Sequence, residues 1–226
     1  MSSSTLSLDD LAVRHGADKS SKVHGYTRAY ERYFGPLRPV PLALLEIGVG
    51  NGASLRMWRD YFPNATLYGL DVADCTNVQI PGTHIYQGSQ IDESALERLL
   101  AEMGNVDIVI DDGSHHWADQ IAAFRKLYPH VKPGGFYAIE DLHTSYWEHY
   151  RGGKERTVWF LRNLVHDLNL QGRSGYGLVA NDPEFGALQP DLNVYEATIE
   201  LISFYKSLAL VRKKQEVAPD PSGACH

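Results

Sequence analysis

Apolar positions along this chain follow a helical period at first, then break into short strand-like runs separated by amphipathic helices. Residues 5–40 read as a helical preface. Ser7 suits an N-cap, and Asp9 and Asp10 follow in the first turn, where the helix dipole favours acids. Thr27–Phe34 sets Ala29, Tyr30, Tyr33 and Phe34 at helical spacing, and Gly35-Pro36 ends that segment. From Leu42 the pattern alternates. Strands are expected at Leu42–Ile47, Thr66–Asp71, Thr83–Gln87, Val106–Asp111 and Gly135–Glu140, with helices at Ala53–Tyr61, Glu93–Met103, Trp117–Tyr128 and Thr157–Leu168. Strands of nearly continuous β-branched apolar residues between helices imply a parallel sheet covered on both faces. Asn193–Phe204 and Ser207–Arg212 break the rhythm as two strand-like runs with little between them, an antiparallel hairpin. Arg173–Pro190, rich in glycine and proline, reads as a long loop suited to a substrate lid.

Composition narrows the class without changing this picture. With 226 residues and 43% apolar content, the chain suits a single domain. The expected division is a helical cap over 1–40, a core over 41–214 and a flexible tail over 215–226. A net charge of −7 argues against a broad nucleic-acid footprint. Arg212-Lys213-Lys214 reads as a solvated strand end. Two cysteines, Cys75 and Cys225, are too few for a disulfide framework and fit a reducing, cytoplasmic setting. No signal-peptide pattern opens the chain, and no apolar run approaches the about 18 residues of a membrane span.

Glu46-Ile-Gly48-Val-Gly50-Asn-Gly52 follows the first strand and opens the first core helix. Glycines let the backbone turn tightly and approach a ligand, and the helix N-terminus offers free N–H groups, with Ser54 in its first turn. Asp71, ending the second strand, is placed to accept ribose hydroxyls. Ser89-Gln90, ending the third, is placed near an adenine. A nucleotide-dependent dehydrogenase shares much of this pattern. Glu46 two residues before the first glycine, and the C-terminal hairpin, instead match a doubly wound, Rossmann-like α/β sheet of the class I methyltransferase type, which binds S-adenosylmethionine.

The densest chemistry is Val106-Asp-Ile-Val-Ile-Asp111-Asp112-Gly-Ser-His115-His116. This strand carries two aspartates and two histidines to its carboxyl end, where open α/β sheets form their ligand crevice. The next strand carries Glu140 and Asp141 to the same edge. Like charges so close need compensation, and carboxylate oxygens suit Mg²⁺, Mn²⁺ or Ca²⁺. Asp112, Glu140 and Asp141 are the expected ligands, with helix capping as the alternative. Asp111 is left to backbone or to the cofactor's amino group. His115 is the expected general base, since imidazole titrates near neutrality; His143 and His116 are the alternates.

Ile110-Asp-Asp-Gly-Ser-His115, Pro133-Gly-Gly-Phe-Tyr-Ala-Ile-Glu-Asp141, Ser145-Tyr-Trp147 and the preface Gly16-Ala-Asp-Lys19…His24-Gly-Tyr26…Tyr30 together resemble the metal-dependent sugar O-methyltransferases of actinobacteria. That family includes macrolide deoxysugar enzymes of the mycinamicin and tylosin type, and compact mycobacterial enzymes acting on methylmannose polysaccharides. The resemblance spans roughly residues 10–212. It implies Mg²⁺ (or Mn²⁺) on Asp112, Glu140 and Asp141, and His115 as base. It implies a cofactor site of Glu46, Gly48, Asp71, Gln90 and Asp111, with Lys19, His24, Tyr26 and Tyr30 closing over the methionine end; Gly50, Ser54 and Ser89 are expected in the same site from their places in the glycine loop, the helix start and the end of the third strand. It also implies a sugar or glycoside acceptor and a homodimer. The larger macrolide enzymes carry an extra N-terminal domain for which this chain leaves no room. His143 stands where relatives often place an aromatic. A catechol-type O-methyltransferase and a non-catalytic cofactor-binding module are the rival readings.

Overall fold

The computed structural model describes residues 6–75, 77–169 and 193–215. The elements run α1 (Leu8–His15), α2 (Thr27–Phe34), β1 (Ala43–Ile47), α3 (Ala53–Tyr61), β2 (Thr66–Asp71), β3 (Thr83–Gln87), α4 (Glu93–Met103), β4 (Val106–Asp111), α5 (Trp117–Leu127), β5 (Val131–Ile139), α6 (Thr157–Asn169), α7 (Val194–Thr198), β6 (Ile199–Tyr205) and β7 (Leu208–Lys213). Ser7 caps α1 through a capping box with Asp10, as its position before two aspartates suggested.

The strands form one sheet in the order β3-β2-β1-β4-β5-β7-β6. β1 to β5 are parallel to their neighbours, and β7 runs antiparallel to both β5 and β6. Strand order reverses at β1, with β2 on one side and β4 on the other, and there the carboxyl ends open into a crevice. Two readings shift. The run from Asn193 starts as a one-turn helix before β6, because Asn193 and Glu196 form a capping box that starts helix rather than strand. The strand expected at Gly135–Glu140 starts earlier and ends one residue sooner, Val131–Ile139, with Val131 paired to Val106. The expected lid, Arg173–Pro190, lies outside the described residues, as do Cys225 and residues 216–226.

Two apolar cores sandwich the sheet. One packs α1, α2 and α3 against Leu44, Leu67, Ile108, Ile110, Phe136 and Ala138. The other packs α4, α5 and α6 against Leu45, Ile47, Val109, Tyr137 and Ile139. Successive strand residues point to opposite faces. Continuing that alternation beyond each strand sends Glu46, Asp112 and Glu140 to the face covered by the N-terminal helices. Asp111 goes to the other face. Among the described residues, no helix is long and apolar enough to cross a membrane.

Candidate active site

At the carboxyl end of β1 the chain enters the glycine loop. Gly48 has φ 89°, and a Cβ there would stand 2.0 Å from the carbonyl oxygen of Asp112, so only glycine lets the loop pass β4 at this distance. Asp71 secures the loop from β2. Its Oδ2 accepts the backbone N–H of Val49 at 2.8 Å and of Gly50 at 2.9 Å, and its Oδ1 accepts that of Ala73 at 2.8 Å. Burial opposes the charge on Asp71, but these backbone donors outweigh it and hold the carboxyl below its ordinary range. The sign for stability follows: Asp71 stabilises the fold above its unfolded-state pKa, and that contribution is lost as pH falls through the lower folded value. Asp71→Asn should therefore loosen the glycine loop, lower affinity for the S-adenosyl cofactor expected from sequence at least tenfold, and flatten the acid limb of the stability curve. Calorimetric titration and melting curves from pH 3 to 7 read both effects, and unchanged affinity would refute the anchoring role.

A cavity of about 440 Å³ opens over this loop, within the usual range for a small-molecule site. Gly48, Gly50, Ser54, Asp71, Ser89 and Gln90 line it, as expected from sequence. So do Asp112, His115 and Asp141 at its far edge. Gly16, Ala17 and Asp18 also line it, three residues that the sequence reading passed over although they sit in the polar preface loop it singled out.

Other expected cofactor contacts are not in that wall. Asp111 is fully buried on the opposite face of the sheet, accepting from Gln90 Nε2 at 3.2 Å and Tyr137 Oη at 3.4 Å. Burial pushes its carboxyl up to about 7. It orients Gln90, whose Oε1 accepts the N–H of Ser114 at 2.8 Å, and so ties the ends of β3 and β4 together. Glu46 is buried and accepts from Ser54 Oγ at 2.7 Å. Lys19, His24, Tyr26 and Tyr30 are not among the residues that line the cavity.

Lys19 explains why. Its side chain is 1% exposed, with Nζ 2.6 Å from Asp112 Oδ2, 3.0 Å from Glu140 Oε2 and 3.3 Å from Glu46 Oε1. Burial works against its charge, yet these three carboxylates outweigh burial and hold the ammonium well above its ordinary pKa. Tyr30 Oη donates to Glu140 Oε1 at 2.5 Å. Burial, then the nearby Asp112, push the Glu140 carboxyl well above its usual range, against the pull of Lys19 and Tyr30.

The acids converge, but not in the grouping expected. Potential ligand atoms of Asp112, His115 and Asp141 lie within 4.8 Å of one another, whereas both Glu140 oxygens are committed to Lys19 and Tyr30. His115 Nε2 is 3.6 Å from Asp141 Oδ2 and 4.0 Å from Asp112 Oδ1. Asp141 Oδ1 accepts from Tyr26 Oη at 2.7 Å, and His24 and His143 Nδ1 each stand 4.0 Å from it. His143 is held by Ser207 Oγ at 2.5 Å and lies outside the main cavity. His115 and Asp141 both have positive φ, 57° and 54°, a conformation disfavoured for residues with a side chain and typical of functional sites.

The sheet order, the glycine loop and the acid at the end of β2 are those of one fold, and comparison with known proteins agrees. A family model described as a methyltransferase domain matches residues 45–139. The sheet has the class I methyltransferase fold. It is 39% identical over 218 residues to the 8-demethyl-8-alpha-L-rhamnosyl tetracenomycin-C 2'-O-methyltransferase of Streptomyces olivaceus, an alignment covering 92% of this chain and 54% of that one. With the mycinamicin VI 2''-O-methyltransferase of Micromonospora griseorubida it shares 41% identity over 152 residues, 64% of this chain and 38% of that one. The MycE methyltransferase solved with Mg, SAH and mycinamycin VI superposes with a TM-score of 0.79 at 32% identity, covering 94% of this chain and 56% of MycE. The chain spans about half the length of these relatives.

Proposed function

We propose that this methyltransferase transfers a methyl group from S-adenosylmethionine to a hydroxyl of a sugar or glycoside, assisted by a divalent cation. The observation that carries the reading is the single cavity in which the glycine loop faces Asp112, His115 and Asp141. A donor bound along Gly48, Gly50, Ser54, Asp71, Ser89 and Gln90 would thus have its reacting end near that acidic edge. The enzymes and the MycE complex it resembles, named for sugar methylation and for Mg, support the same reading.

The donor set fits a hard cation. Two carboxylates and an imidazole gather within 4.8 Å, and carboxylate oxygen suits Mg²⁺ or Mn²⁺. Asp112 and Asp141 would hold the ion, and Glu140 would join them only by releasing Lys19 and Tyr30. Such an ion supplies Lewis acidity, which orients neighbouring hydroxyls and lowers the pKa of one. The chain's own tasks are alignment and removal of one proton. As the new O–C bond forms and the C–S bond breaks, the hydroxyl proton passes to His115 Nε2. Holding the two reactants in line can contribute about 7–11 kcal/mol. His115 is favoured over His143 as the base because it lines the cavity and His143 does not. A cytoplasmic homodimer, with residues 1–40 as a cap on the catalytic core and 215–226 as a tail, completes the proposal.

The test is transfer of labelled methyl to a panel of sugars, glycosides and one catechol, with Mg²⁺ and with EDTA. Sugar-dependent transfer abolished by EDTA is expected. Transfer that survives EDTA removes the metal role of Asp112 and Asp141, transfer to catechol alone replaces the substrate class, and donor binding without turnover makes the chain a binding module.

A further inference from the structure

His115 and Asp141 stand beyond the ends of β4 and β5, and both have positive φ, 57° and 54°. A residue with a side chain keeps that conformation only where its surroundings fix it. The sheet does not reach them. Pairing of β4 with β5 ends at Asp111 and Ile139, followed by one bond from the Glu140 N–H to the Asp111 carbonyl. Nor do their side chains join: His115 Nε2 is 3.6 Å from Asp141 Oδ2, too long for a hydrogen bond. Thr144 bridges the gap. It lies in a short 3₁₀ helix, Leu142–Tyr146, and is buried. Its Oγ1 is 2.7 Å from the carbonyl oxygen of Asp141 and 3.2 Å from that of His115. A hydroxyl has one hydrogen, and here the two carbonyls share it. Thr144 is itself held by its N–H, which donates to the Asp141 carbonyl at 2.9 Å, and by its carbonyl, which accepts from Trp117 Nε1 at 2.9 Å. Trp117 is buried at the start of α5, just after His115-His116, so the bonds close a ring from His115 through Trp117 and Thr144 back to His115.

We infer that Thr144 is a positioning residue, whose hydroxyl fixes His115 against Asp141 by clasping their two backbone carbonyls. This rests on the roles proposed for His115 and Asp141 and adds the device that sets their separation. Thr144 does not line the cavity, so it acts through these two residues and not on donor or acceptor. The two carbonyls depend on it unequally. Asp141 also accepts the Thr144 N–H, whereas the hydroxyl is the only donor to the His115 carbonyl among the described residues. Loss of the hydroxyl therefore frees the base first, and a displacement of about 1 Å can cost about 10²-fold in rate. β-Branching confines χ1, which keeps the hydroxyl aimed at both carbonyls.

The experiment compares Thr144→Val, which keeps the branched shape and removes the hydroxyl, with Thr144→Ser, which keeps the hydroxyl. Steady-state kinetics are paired with NMR of isotope-labelled histidines in protein free of metal and cofactor, where His115→Asn assigns the His115 imidazole. The expected result for Thr144→Val is a kcat lowered about 10- to 10²-fold with KM for the methyl donor unchanged, and a shifted His115 signal. Thr144→Ser should restore both. Wild-type kcat and an unshifted signal in Thr144→Val would overturn the inference. So would a Thr144→Ser as impaired as Thr144→Val, which would assign the residue to packing. Melting curves check folding, and Thr144→Ala replaces the valine variant should that one fail to fold. If the wild type methylates no glycoside, the sugar-methylation reading fails, and the imidazole signal then judges the clasp alone. A signal shifted in Thr144→Val and unshifted in Thr144→Ser upholds it; any other pattern overturns it.

Discussion

His115→Ala is expected to lower the rate of methyl transfer by about 10²–10⁴-fold, the usual contribution of a general base, with S-adenosylhomocysteine affinity nearly unchanged. The side chain lies at the acidic edge of the cavity, away from the Asp71 anchor of the glycine loop. Its Nε2 faces the Asp112 and Asp141 carboxylates, and among the described residues its buried Nδ1 has no hydrogen-bond partner. Because His115 has positive φ, alanine there retains backbone strain. His115→Asn is the companion variant, since asparagine tolerates that conformation while lacking a base of suitable pKa. Both variants should lose the rate alike. Near-wild-type turnover in both would pass the role to His143. A fall in Mg²⁺ affinity parallel to the fall in rate would make His115 a ligand, and a titration of metal-free protein with Mg²⁺ separates the two roles.

Lys19→Met should be the most destabilising single change at the site. It removes the cation between Glu46, Asp112 and Glu140 and leaves acids that the fold has already taken from water. Breaking a buried pair in this way costs about 3–5 kcal/mol. For a chain of this size that lowers Tm by roughly 10 °C. The deficit should shrink as pH falls. Glu140 already has a raised pKa in the fold, and loss of Lys19 raises it further. The folded variant then binds more protons than its unfolded chain, so its stability increases with falling pH through that interval. Millimolar Mg²⁺ should recover part of the loss by supplying another cation to Asp112. Thermal melts at pH 5 and pH 8, with and without Mg²⁺, provide the check. A variant as stable as wild type at pH 8 would show that Lys19 does not neutralise the cluster. The same lysine joins the preface loop to β1, β4 and β5, so the prediction also measures what holds the N-terminal helices to the sheet.

Much of this arrangement could be read from residue order. The switch from helical to strand period at Leu42, the glycine loop after β1 and the acids ending β2 and β4 are local patterns, and the structure places each where its pattern implies. The run from Asn193 starts as a helical turn because the capping box between Asn193 and Glu196, three residues apart, outweighs the β-branched residues after it.

Face was legible too, although it was not read. Side chains alternate along a strand, so adjacent Asp111 and Asp112 had to part; the register of β1, β4 and β5 then puts Asp112 on the side of Glu46 and Glu140. That parity separates Asp111, set aside for backbone or cofactor, from Asp112 and Glu140, which meet at Lys19.

Partner choice across long sequence separations was beyond residue order. Lys19 lies 93 residues from Asp112 and 121 from Glu140, and nothing in the local pattern says that a lysine from a polar loop closes onto those carboxylates. It does so because α1 and α2 cover the face to which strand parity sends the three acids, and a buried acidic cluster needs a cation. Sequence alone determined the class I methyltransferase sheet, its glycine loop and the acidic strand ends. The tertiary structure alone decided that Lys19 and Tyr30 take Glu140, and that Asp112, His115 and Asp141 face the cavity, because ion pairing in a low-dielectric interior depends on which side chains are brought within a few ångströms and not on their order along the chain.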